Sequence, residues 1–138
     1  MKALLLAAMP VVMMDGNALY LDHWLRIEPA IAAAVECRQP LSMGVLDGIA
    51  PNTTGNWSLT PARSFTVFGL PVTRVEVFID PDGELGASYT AVIEKRSLEQ
   101  TQKQLRLAGQ HGRIGQLWGD QPSNEVHVTC TIAATDKG

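Results

Sequence analysis

From Arg63 to Glu94 apolar and polar residues alternate. Leu85, Ala87, Tyr89, Ala91 and Ile93 take every second position, with Glu84, Gly86, Ser88, Thr90, Val92 and Glu94 between them. Val75, Val77 and Ile79 do the same against Arg74, Glu76 and Asp80. A period of two sends one set of side chains to a buried face and the other to solvent, so both runs are predicted strands. Between them lies Asp80-Pro81-Asp82-Gly83. Proline presets φ there and glycine admits φ > 0, so the chain reverses into a hairpin. With the residues that follow Arg63, the stretch predicts two or three antiparallel strands around which the remaining elements are arranged.

Elsewhere the period is helical. Leu98, Thr101, Leu105 and Ala108 form a stripe, Ser97 and Gln100 have the capping-box spacing, and Gly109 stands where a helix ends. Upstream, Glu28-Pro29 opens a helix with proline at its first position, continuing from Ala30 to Arg38 and stopped by Pro40. The preceding Leu19 to Ile27 is rich in large apolar residues and reads as a short helix or a strand, which periodicity does not separate. Leu41 to Ile49 predicts a second short helix with Val45, Leu46 and Ile49 inward, and Pro51 to Pro61 reads as loop from its prolines, glycine and small polar residues. Arg113 to Trp118 and Glu125 to Ile132 are predicted strands separated by a loop over Gly119 to Asn124. Helices and strands come in blocks, which predicts an α+β fold: one antiparallel sheet packed on one face by helices, in the order α(α)-βββ-α-ββ.

Length and composition narrow the class. A chain of 138 residues, 46% hydrophobic and 18% charged, is sized and balanced for one folded domain. A net charge of −3 argues against general binding to nucleic-acid phosphates. Lys2, the apolar run Ala3 to Met14 and the small or polar residues Asp15 to Ala18 have the layout of a secretory signal peptide. The expectation is a signal over residues 1–18 and a single domain over 19–138, without a membrane span; a buried first strand or helix is the alternative. Two cysteines, Cys37 and Cys130, fit a disulfide in an exported chain, against the alternative of two buried free thiols. The predicted location is therefore periplasmic or secreted.

No catalytic, cofactor or metal site is expected. The three histidines, His23, His111 and His127, sit beside no recognisable partner set, and no nucleophile-elbow, zinc-protease, P-loop or dinucleotide pattern occurs. Asp80, Asp82 and Glu84 look like half a calcium loop, but Pro81 and the apolar residues that follow fit a hairpin turn better. The sequons Asn52-Thr53-Thr54 and Asn56-Trp57-Ser58 are read as loop chemistry. Lys95, Arg96, Lys103, Arg106 and Arg113 stand against Glu99 alone, a local excess of positive charge suited to an acidic partner. Exposed tryptophans are frequent binding anchors, which singles out Trp57 and Trp118. The expected function is binding of another protein, as an enzyme inhibitor or a toxin-immunity protein does, through Asn56, Trp57, Trp118 and the five cations. The alternatives are a small envelope hydrolase built on Asp22, His23 or His111, and a structural accessory of the envelope.

Overall fold

The computed structural model describes residues 19–133, so the signal-peptide assignment lies outside the described residues. Helix α1 spans Leu21–Val35 and is followed by a 3-10 turn over Met43–Leu46. Strands β1 (Asn56–Leu59), β2 (Thr66–Val67), β3 (Leu70–Ile79) and β4 (Ala87–Ile93) come next. Helix α2 (Leu98–Ala108) then leads into β5 (Gln116–Asp120) and β6 (Val126–Ile132). The strands form one six-stranded antiparallel sheet in the order β1-β3-β4-β6-β5, with β2 paired to the start of β3. The α+β architecture read from the residue pattern is the one observed.

The core sits on one face of this sheet. Trp57, Val77, Tyr89, Cys130 and Leu117 make one row across the strands, and Leu59, Val75, Ala91, Val128 and Gly119 make the next. Onto these rows α1 lays Trp24, Ile27, Ile31, Ala34 and Val35, and α2 lays Thr101 and Leu105. Gly119 lets α2 approach, since a Cβ there would come within 3.2 Å of the Leu105 Cδ1 atom. Each fully buried Val, Leu or Ile contributes roughly 1.5–3 kcal/mol over its exposed state, so these rows are the main source of stability. The disulfide is present: Cys37 and Cys130 are bonded at 2.03 Å, tying the end of α1 to the inward face of β6.

Several expectations are corrected. The first helix begins at Leu21, not Glu28, and carries Pro29 in its interior. Trp24, Ile27, Ile31 and Val35 continue one apolar stripe, and Trp24 is 0% exposed, edge-on to Phe65 with ring centroids 5.2 Å apart. Pro29 and Leu25 both face solvent, so the Leu25 carbonyl that loses its helical donor can bond water. The stretch read as loop over Pro51 to Pro61 contains β1, because Trp57 and Leu59 alternate inward while pairing with β3. Four residues are too few for a period to show against polar neighbours.

Trp57 is accordingly a core residue, 7% exposed, with its indole N–H donated to the Ile49 carbonyl at 3.1 Å. The predicted second helix is only the 3-10 turn; Leu41, Leu46 and Ile49 are buried and Val45 is half-buried. Leu85 belongs to the turn and is 74% exposed, because the Asp80 carboxylate accepts from the Asp82 and Leu85 N–H groups and widens the reversal to Gly86. The strand after α2 starts later than read and reaches Asp120, since Trp118, Gly119 and Asp120 all pair with β6.

Candidate functional site

Because α1 and α2 pack against the same face, the opposite face of the sheet is left open among the described residues. Its side chains also stand in rows set by the register. One row is Asn56, Phe78, Ser88, Thr131 and Gln116; the next is Ser58, Glu76, Thr90, Thr129 and Trp118. Two shallow depressions, of about 420 and 270 Å³, meet along Phe78, Ser88 and Thr90. The Thr90 and Thr129 hydroxyls bond each other at 2.9 Å, and the Trp118 indole N–H donates to the Thr131 hydroxyl at 3.0 Å. Trp118 is thus held in orientation while 40% of it remains exposed.

A charged cluster closes one end of the face. The Arg74 guanidinium donates to Glu76 at 2.8 Å and to Glu125 at 3.0 Å, and the His127 Nε2 atom lies 3.3 Å from Glu125. Together they cover Val92, which is 3% exposed although it points to the open side. The hydrogen bond from Arg74, with a smaller contribution from His127, holds the Glu125 carboxyl below its ordinary pKa. Glu125 in turn raises the pKa of Arg74, partly offset by burial.

Around the β5 edge lies a further depression, of about 750 Å³, between β5 and α2. Leu105 and Leu117 form its apolar part, with Gln102, Arg106 and Gln110 around them. Trp118 lines both this groove and the open face, so the two surfaces meet at one aromatic side chain.

The expected partner-contact residues are divided by the fold. Asn56 and Trp118 reach the open face; Trp57 does not, being turned into the core. Arg96 and Lys103 flank a depression of about 280 Å³ beside Gln100 and Gln104, Arg106 faces the groove, and Lys95 is exposed with its ammonium 3.9 Å from Glu94. Arg113 leaves the patch entirely. Its guanidinium donates to the carbonyls of Gly109 at 3.0 Å, Ala108 at 3.1 Å and Glu36 at 2.9 Å, and it lies over the Phe68 ring at 5.3 Å. The last carbonyls of both helices lack helical donors and carry the negative end of the macrodipole, so a cation placed between them is consumed there.

The residues considered for hydrolysis do not converge on the depressions described. Asp22 is exposed, accepts from the His23 backbone N–H at 2.9 Å and lies 4.0 Å from Arg26. His111 stands in the exposed turn after α2. Among the described residues no group of three or more His, Cys, Asp or Glu is placed to hold a metal ion, and no helix is long and apolar enough to cross a membrane. Phe78, Ser88, Thr90, Thr129 and Thr131 were not singled out from the sequence. The available signal was the hydroxyl-rich outward half of each strand, Ser88-x-Thr90 and Thr129-x-Thr131.

No protein-family model matches the chain, and no curated protein and no solved structure matches it.

Proposed function

We propose that this is an exported protein that acts by binding another protein, of the enzyme-inhibitor or toxin-immunity kind, with the open sheet face as its contact surface. The observation that carries the reading is Trp118, half-exposed, pinned through its N–H to Thr131, and shared by two depressions. A large aromatic ring held in place contributes contact area with little ordering cost, which is why tryptophan is over-represented among binding hot spots. Thr90, steadied by the buried Thr129 hydroxyl, and the neighbouring Ser58, Ser88 and Asn56 supply donors and acceptors at fixed sheet spacings around it. The Cys37–Cys130 bridge supports an oxidising compartment, where such bonds persist. The exposed cations Lys95, Arg96, Lys103 and Arg106 support a partner with acidic character.

The test is affinity capture from envelope extract of the source cell with the disulfide-intact chain, followed by titration of the recovered partner. Trp118→Ala is expected to weaken binding by roughly 2 kcal/mol, about 30-fold, with the circular dichroism spectrum unchanged. A Ser88→Arg substitution, at a half-buried position of the same face, should weaken it as well by crowding that surface. Unchanged affinity in both variants would overturn the assignment of this surface.

A further inference from the structure

The sheet ends at β5, whose second side faces no strand among the described residues. Leu117 and Gly119 are two residues apart, so their carbonyls point to the same side of the strand. Both are occupied by side-chain amides: Gln110 Nε2 donates to the Leu117 carbonyl at 2.7 Å, and Gln102 Nε2 to the Gly119 carbonyl at 3.4 Å. Carboxamide N–H groups thus stand where the main-chain N–H groups of a further strand would stand. Both glutamines are exposed, so each can swing aside by exchanging its bond with water. The two side chains line the groove of about 750 Å³ that already lies between α2 and β5.

We propose that the β5 edge is a strand-addition site. An extended segment of the protein partner, carrying an Asp or Glu, pairs with β5 in this groove. Its own N–H groups replace the amides of Gln102 and Gln110, and its carboxylate meets Arg106. The inference rests on the protein-binding reading above and specifies how the partner is held. Main-chain pairing supplies affinity in strand addition, and side chains at alternate positions supply selectivity. The acidic preference follows from charge: Arg106 and Lys103 are exposed and form no ion pair among the described residues. A two-fold pairing of this edge with a second copy would set one cationic helix against another, which disfavours self-association. Trp118 lines the same groove, so an added strand would lie against the proposed anchor.

The probe is a phage-displayed library of random peptides selected against the full, disulfide-intact protein. Selected peptides are expected to carry an acidic residue, and on binding to slow hydrogen exchange at the Leu117 and Gly119 amides. Arg106→Glu should weaken acidic peptides at least about fivefold. Gln102→Ala with Gln110→Ala should tighten binding several-fold, because no placeholder amide then has to be displaced. Failure to select any peptide, peptides without acidic bias, or exchange at Leu117 and Gly119 left unchanged would each overturn the proposal. A natural partner lost with Trp118→Ala, yet indifferent to Arg106→Glu and without protection of those amides, would sink strand addition while leaving the protein-binding reading intact.

Discussion

Arg113 and Trp118 illustrate how little residue type alone says about role. Both stand near the edge of the sheet, and both are residue types over-represented at protein interfaces. Arg113 is spent on three helix-end carbonyls and a phenyl ring, whereas Trp118 keeps part of its ring in solvent. Arg113→Ala is therefore expected to lower stability by roughly 2–3 kcal/mol, since carbonyls at two helix ends lose charge-assisted donors together. Chemical denaturation measures it, and Arg113→Lys should recover only part of the loss because a point charge cannot reach three acceptors. A second expectation concerns acid. Glu28, held by Arg63, Asp80, held by the Leu85 N–H, and Glu125, held by Arg74, all have depressed pKa values in the fold. A depressed carboxyl contributes stability that is present above its unfolded pKa and lost as the pH falls through the folded one. The melting temperature should hold from neutrality to about pH 5 and then fall, and Glu125→Gln should make that acid slope shallower.

At the scale of elements, local signals decided α2 and tertiary burial decided α1. Helix α2 has both halves of its capping box, the Ser97 hydroxyl accepting from the Gln100 N–H at 3.0 Å and the Gln100 side chain accepting from the Ser97 N–H at 3.0 Å. It ends at Gly109 with φ 78°. Ser97→Ala should cost about 1 kcal/mol, read as a shift in denaturation midpoint with unchanged slope. Because α2 forms one wall of the groove, the same variant should also raise hydrogen exchange along its first turn. Helix α1 contradicts its own local signal at Pro29, yet Trp24, Ile27 and Ile31 carry it through. The β1 strand is the reverse case, a tetrapeptide inside a polar, proline-flanked stretch that composition assigns to loop and that pairing with β3 makes regular.

For the molecule as a whole, the decisive arrangement is that β6 inserts between β4 and β5, so the last strand among the described residues lies inside the sheet. Its Cys130 lies under α1, bridged to Cys37 across a sequence separation of 93 residues. Closing a loop of that length stabilises the fold by roughly 4–5 kcal/mol on the chain-entropy account. Equilibrium unfolding in urea with and without a reductant should show a loss of that order, or outright unfolding of the reduced chain at physiological temperature. The insertion of β6 also builds the open face, placing Thr129 and Thr131 beside Thr90 and Ser88 and bringing Trp118 alongside. Trp118 and Asn56 were legible as surface candidates before any pairing was known. The hydroxyl rows between them were not, because alternation marks a residue as outward without saying which outward residues become neighbours.

The sequence by itself determined the central hairpin, the capped second helix and the α+β class, and it named the one pair of cysteines that could bridge while leaving free thiols as the alternative. Each of these rests on contacts within a few residues or on a single covalent possibility. Only the tertiary structure decided that Pro29 stays helical, that Trp57 turns inward, that Arg113 serves two helix ends and that Trp118 joins two surfaces. Those outcomes depend on burial and pairing between distant segments, where the free energy of packing outweighs what any short stretch prefers alone.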